Sequence, residues 1–185
     1  MDDPVCRDKS EVFIAKVVER YRSSKALAAW SVWNEPILGY PCCCPHTLKN
    51  FRDWVKNKYK GDLDLLNREW GSEFPVDYLS WDEVEPGLEA GFAGGYLPAM
   101  DWLSFNEEKI TANVKRVNDL IKKVDNQHPT TVNIITYADR ELNYFNNVTA
   151  LGKAVDIIGY SHYLFSDKPY ETAANLDIIR SASND

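Results

Sequence analysis

The chain has 185 residues and a net charge of −7, from 21 basic and 28 acidic side chains. That length suits one domain, and 44% hydrophobic residues are enough for a core. The acidic balance argues against nucleic acid or an anionic membrane as a partner, since both demand a basic face. No apolar run approaches the ~20 residues of a membrane span. Met1-Asp2-Asp3-Pro4 is polar and acidic, unlike a secretory signal, which favours a cytoplasmic location. Six Trp and ten Tyr suit core packing, or stacking on sugar rings; composition alone favours packing. Cys42, Cys43 and Cys44 are consecutive and Cys6 stands apart, a pattern that does not read as a disulfide framework.

In chain order, Val12, Ala15, Val18 and Tyr21 recur every three residues, and the spacing predicts a helix over 9–22. An apolar strand over 27–33 follows almost at once. An irregular stretch through Gly39, Pro41 and Pro45 leads to a helix over 46–59, with Leu48, Phe51, Val55 and Tyr59 on one face and Gly61 as its C-cap. A short helix over 62–70 carries Leu63, Leu66 and Trp70. Residues 71–100 are rich in Gly, Pro and aromatics without a clean period, long for a connection and hence a candidate functional loop. Phe105, Ile110, Val114, Val117, Ile121 and Val124 predict a helix over 101–124. Strands over 130–137 and 155–160 follow, with a helical or irregular stretch (138–153) between them, then a helix over 169–182 opened by Pro169. The alternation predicts an α/β fold with about three parallel strands, each buried on both faces and each ending in a polar tip.

The first strand organises the rest. Leu27-Ala28-Ala29-Trp30-Ser31-Val32-Trp33 delivers Asn34-Glu35 at its tip and stops at Pro36. Proline cannot join a sheet ladder, and it pushes the residue before it toward extended backbone. An apolar strand presenting an amide and a carboxyl at its C-terminal end is how parallel barrels offer a catalytic acid; a surface capping Glu is the plainer alternative. Asn133 on the second strand, and Ser161-His162-Tyr163 after the third, form the other tips. A helix-start role suits Asp139 and Glu141, and a core position suits Trp33. Asn147-Val148-Thr149 matches a glycosylation pattern by chance.

Four stretches resemble the catalytic domain of glycoside hydrolase family 42, a β-galactosidase family in the clan of retaining (β/α)₈ glycosidases. They are Arg20-Tyr21 through Ala26-Leu27-Ala28-Ala29-Trp30 to Asn34-Glu35; Phe51 to Tyr59 with Leu63 to Gly71; Met100 to Phe105; and Asp156-Ile157-Ile158-Gly159-Tyr160 through Tyr163. The resemblance implies a partial (β/α)₈ barrel over residues 1–185, running from the third barrel helix to the sixth, with a long irregular loop after the first strand present. Glu35 would be the acid/base, Asn34 would donate to the sugar 2-hydroxyl, and Tyr163 would hydrogen-bond the nucleophile beside the sugar. His162, where the family usually has another residue but cellulase-like relatives share the His-x-Tyr pair, and Asn133 are candidates to line the sugar site, with a structural role as the alternative for each. The nucleophilic carboxylate would come from the following strand, outside these residues, so the chain alone is expected to be inactive. Many family members hold zinc in the loop after this strand through a Cys-x-Cys-x-x-Cys run and a distant Cys. Cys42 and Cys44 match the first two positions, Thr47 stands at the third and Cys6 does not match the fourth, so no cofactor is expected and a structural zinc would fall to Cys42 and Cys44. The implied partner is a carbohydrate, and open sheet edges leave room for a homo-oligomer. A cellulase-like clan relative acting on another β-glycan, and a non-catalytic carbohydrate-binding or interaction module, are the alternatives.

Overall fold

The structure, a computed structural model, describes residues 2–36, 42–72, 75, 77–87, 96–135, 147–162 and 169–182. Its elements are α1 (Pro4–Tyr21), β1 (Trp30–Asn34), α2 (Pro45–Lys58), α3 (Leu63–Trp70), a 3₁₀ turn (Trp81–Glu83), α4 (Tyr96–Val124), β2 (Thr130–Ile134), α5 (Val148–Gly152), β3 (Ile157–Tyr160) and α6 (Pro169–Ala182). They gather into two compact units. One holds α1, the three strands, α4 from Glu107 onward, α5 and α6; the other holds α2, α3, the 3₁₀ turn and α4 through Asn106.

In the first unit the strands form a parallel sheet in the order β1-β2-β3. Only β2 has a strand on each side among the described residues, and the burial of the three strands corrects the expectation of strands buried on both faces. Thr130, Val132 and Ile134 of β2 are buried on one face, while Thr131 and Asn133 on the other are half-buried. β1 is half-buried or exposed throughout, and so is β3. Val132 and Ile134 pack with Ile110 and Val114 of α4, Leu151 of α5, Val155 and Ile179 of α6. A second cluster joins Val18 of α1 to Val117 and Ile121 of α4, with Ile14, Trp30 and Val32 against it. The periodicity of α1 therefore misplaces its face: Val12 and Tyr21 are 57% and 50% exposed, and Ile14 and Val18 turn inward. α1 also begins earlier than its apolar pattern, because Asp3 caps the N–H groups of Val5 and Cys6 and Pro4 fits the first turn. Asn147 serves as the cap of α5 by accepting from Ala150 N at 2.9 Å, which accounts for that residue without a glycan.

Two carboxylates tie the N-terminal ends of the strands to α4. Asp125, just past α4, is buried. It accepts from the Trp30 indole at 2.9 Å, the His128 ring at 2.7 Å, and the backbone N–H groups of Gln127 and His128. Burial pushes this carboxyl up, but those donors outweigh it and hold it well below the usual carboxylate range. Asp156, just before β3, pairs with Lys122 at 2.5 Å and accepts from Thr130 N at 2.8 Å. Lys122 and the Thr130 N–H lower its pKa in turn.

The second unit packs Phe51, Val55 and Tyr59 against Leu66, Trp70, Val84, Trp102 and Phe105. Phe51 meets the Trp102 ring edge-on at 4.9 Å. At its centre the buried carboxylate of Asp101 accepts from Tyr59 Oη at 2.9 Å, Trp70 Nε1 at 3.0 Å and the Lys58 ammonium. The segment around Tyr78 has no regular structure, yet Asn67 holds it like a ladder rung. Asn67 donates to Tyr78 O at 2.8 Å and accepts from Tyr78 N at 3.0 Å. α4 starts five residues before the 101–124 expectation; Pro98 sits in its first turn, where its missing N–H costs no intrahelical hydrogen bond. Gly87 lies directly against this turn, and a Cβ there would come within 2.7 Å of Ala99 N and 2.9 Å of the Pro98 carbonyl carbon.

Asp125→Ala should destabilise the first unit by about 2–3 kcal/mol in urea denaturation, since the Trp30 indole loses its charged partner. Because the folded carboxyl lies below its unfolded value of about 3.9, its contribution is complete above that pH and disappears as pH falls further. The stability gap between wild type and Asp125→Asn should therefore shrink from pH 5 toward pH 2. Gly87→Ala should destabilise the second unit by about 1–3 kcal/mol, read as an earlier loss of near-UV tryptophan signal.

Candidate active site

The candidate residues meet at the C-terminal ends of the strands, and an irregularity in β1 puts them there. Trp30 and Ser31 lie opposite Thr130 and Thr131, but Trp33 and Asn34 lie opposite Val132 and Asn133. Val32 is the extra residue of a β-bulge. Strict alternation from Trp30 would place Asn34 on the helix-facing side with Val32. The one-residue slip transfers Asn34 to the face of Asn133 instead.

Asn133 then spans the three tips. Its Nδ2 donates to Asn34 Oδ1 at 3.0 Å and to Ser161 Oγ at 2.7 Å, while its carbonyl accepts from Glu35 N at 2.9 Å. Ser161 N in turn donates to Ile134 O at 2.8 Å. With its oxygen occupied by Asn133, the Asn34 amide has its NH₂ group directed away from Asn133. Ser161 carries one leg of this bridge. The sequence reading passed it over as part of the Ser-His-Tyr tip; its place immediately after a strand was the available signal.

Glu35 follows half-buried, with φ of +49°. The expectation of extended backbone before Pro36 is corrected here. Proline disfavours the right-handed helical region for its predecessor, and with its N–H fixed to β2 the chain leaves the sheet through the left-handed region. That conformation costs a residue with a Cβ about 1–2 kcal/mol. Trp33 is 40% exposed rather than core.

His162 is exposed. Its Nε2 sits 3.2 Å from Thr172 Oγ1 of α6, and its ring packs 5.5 Å from that of Tyr160, whose hydroxyl accepts from Asn175 at 2.9 Å. Tyr163, Asp139 and Glu141 lie outside the described residues. A polar cavity of about 410 Å³ is lined by Arg22, Ser23, Val124, Asp125, Asn126 and Gln127. It lies beside the N-terminal ends of the strands, away from the tips, and its Arg22 already donates to Val124 O at 3.0 Å. The tips thus offer a carboxyl next to an oriented amide, a pairing suited to proton transfer at an oxygen of a hydroxylated ligand.

Cys42 and Cys44 lie just before α2, with Cys44 as its N-cap residue. Cys44 Sγ lies 3.3 Å from Thr47 Oγ1, Cys42 Sγ accepts from Cys44 N at 3.4 Å, and the buried Thr47 hydroxyl donates to Asp2 at 2.6 Å. Structural zinc requires four converging ligands. Among the described residues no three His, Cys, Asp or Glu side chains converge in that way. A hydroxyl already bonded to a carboxylate is a poor third ligand, so the described residues of this loop do not fit the metal.

Parallel strands with flanking helices, ending in Asn-Glu at one tip, fit a segment of a (β/α)₈ barrel. The chain belongs to glycoside hydrolase family 42, whose family profile, described as beta-galactosidase, matches residues 1–185. It is 30% identical over 178 residues to the beta-galactosidase LacZ of Lactobacillus acidophilus, covering 91% of this chain and 26% of that protein. It is also 30% identical over 162 residues to BglY of Alicyclobacillus acidocaldarius, covering 86% of this chain and 22% of that protein. The crystal structure of a beta-galactosidase from Rahnella sp. R3 superposes with a TM-score of 0.83 at 26% identity, covering all of this chain and 27% of that one. The chain thus spans about a quarter of the length of the relatives it matches. Among the described residues no helix is long and apolar enough to cross a membrane.

Asn133→Asp should turn the Asn34 amide over, because a carboxylate at 133 accepts but cannot donate. The expected result is an exchange of Asn34 Oδ1 and Nδ2 in the nuclear Overhauser pattern of its side-chain amide protons; an unchanged pattern would separate Asn34 from Asn133 control.

Proposed function

We propose that Glu35 is the general acid/base of a retaining glycoside hydrolase acting on β-galactoside-type O-glycosidic bonds in the full-length protein, within a single barrel domain that takes in residues 1–185. The observation that carries this reading is the bridge at the tips: Asn133 joins Asn34, Ser161 and the backbone of Glu35 into one edge. Relatives named beta-galactosidase supply the substrate class.

In this mechanism Glu35 protonates the leaving-group oxygen, then removes a proton from the water that releases the sugar. Asn34 donates its amide N–H to the sugar 2-hydroxyl, a contact that strengthens in the transition state. Asn133 holds that amide in place, and His162 and Tyr163 border the sugar. Retention requires a second carboxylate ~5 Å from the first to attack the anomeric carbon. The family resemblance assigns it to the strand after β3, so residues 1–185 alone should show no measurable turnover of an aryl β-galactoside.

In a full-length protein carrying these residues, Glu35→Ala should lower kcat/KM on a poor leaving group by about 10²–10⁴-fold, and much less on a dinitrophenyl galactoside, which needs no acid. Added azide should restore turnover and yield β-galactosyl azide. Equal losses on both substrates, without azide rescue, would remove Glu35 from the acid/base role.

A further inference from the structure

Ser161 belongs to the bridge at the strand tips, yet the mechanism above gives it no task. Granting that the tips form a glycosidase site, we propose that Ser161 is a positioning residue for the reaction. Through Asn133 it decides which way the Asn34 amide faces, and so how strongly the site favours a sugar that carries a 2-hydroxyl.

The ladder explains why Ser161 is the residue that reaches Asn133. Asn133 lies opposite Asn34 on one side and Gly159 on the other. Residues two apart on an extended strand share a face. Gly159 has no side chain to offer there, so the task passes to position 161. The hydrogen bonding of the strand continues that far, because Ser161 N donates to Ile134 O at 2.8 Å. Ser161 is half-buried, and its Oγ accepts from Asn133 Nδ2 at 2.7 Å.

The orientation of Asn34 follows from counting hydrogens. A carboxamide carries its hydrogens on nitrogen and its lone pairs on oxygen, and a half-turn exchanges the two ends. Between Asn133 and Asn34 alone that exchange is neutral, since a joint half-turn keeps one hydrogen bond between them. Asn133 commits both hydrogens here, to Asn34 Oδ1 at 3.0 Å and to Ser161 Oγ. Asn34 therefore keeps its oxygen inward and presents its NH₂ to the ligand. Without the Ser161 oxygen, one N–H of the half-buried Asn133 side chain loses its acceptor. A joint half-turn takes that N–H out of the bridge, and the Asn34 NH₂ then satisfies Asn133 Oδ1. Removing the hydroxyl thus shifts the balance toward an Asn34 that shows its oxygen to the sugar. Glu35 stands outside this exchange, because its bond to Asn133 runs from backbone N–H to backbone carbonyl at 2.9 Å.

The test uses a full-length protein carrying these residues and two aryl galactosides, one with the 2-hydroxyl and one 2-deoxy. The ratio of kcat/KM on the two substrates isolates the 2-hydroxyl contact within each variant. Ser161→Ala should lower that ratio by about 3–10-fold, the worth of one oriented hydrogen bond. The loss should fall on kcat rather than KM, as for a contact that strengthens in the transition state. Ser161→Thr keeps the hydroxyl and should restore the ratio; Ser161→Val, its isostere without one, should behave as Ser161→Ala does. In an Asn34→Ala background, Ser161→Ala should change the ratio no further. The pH profile of kcat/KM should keep its shape in all position-161 variants. In the 185-residue chain, Ser161→Ala should bring the Asn34 side-chain amide protons into nuclear Overhauser contact with Asn133, and Ser161→Thr should not. Far-UV circular dichroism checks the fold of each variant. Equal losses on both substrates, an unchanged ratio, a further fall in the Asn34→Ala background or a shifted pH profile would overturn the proposal. A full-length protein that cleaves neither galactoside would overturn the glycosidase reading instead. The amide contacts would then still decide whether Ser161 orients Asn34, and their absence in Ser161→Ala would count against it.

Discussion

Asp125 sets the frame on which the first unit is built. A single buried carboxylate receives the Trp30 indole from β1, the His128 ring and two backbone amides from the turn that follows α4. It fixes where α4 stops, where β2 begins and how deep β1 sits beside it. Asp156 repeats the arrangement one strand later, with Lys122 of α4 and Thr130 of β2 as partners. These polar ties secure the N-terminal ends of the strands, where a parallel barrel keeps its stability. The cost of burying Asp125 is offset by charged or directed hydrogen bonds, which would be expensive to lose singly.

From that anchor the sheet is rigid enough for one extra residue to matter. Val32 remains on the helix-facing side with Trp30, both packed near Val18 and Ile121. Because of the slip at this point, the final residues of β1 turn to the other face. Asn133 can then reach Asn34 and Ser161 with its two amide hydrogens. Apolar packing at the base, a bulge in the middle and a shared amide at the tip form one continuous chain of cause.

Much of this was legible before any coordinates. α2, α3 and α6 lie within a residue of their expected bounds, since each couples a strong apolar face or an opening proline to a clear stop. Glu35 and Asn34 stood out because an amide and a carboxyl sat at the end of an apolar run. What the residues hid were departures from regularity. A bulge has no period, so the face of Asn34 could not be read from alternation. A left-handed residue before proline defies the local rule and is set by a hydrogen bond to a strand almost a hundred positions away. The apolar threes of α1 suggested a face containing Val12 and Tyr21, whereas burial follows Ile14 and Val18, which find Val117 and Ile121 opposite them. The ordering of the segment near Tyr78 depends on one amide, Asn67, whose partner is known only in three dimensions.

The backbone at Glu35 has an evolutionary consequence. A glycine would occupy that twisted position with less strain than any side chain bearing a Cβ, so the backbone alone does not favour a glutamate there. In a lineage released from selection for turnover, random substitution should erase this acid early, while Asp125 and Trp30 persist because the scaffold fails without them. The order in which such decaying copies lose these residues would record which were kept for work and which for architecture.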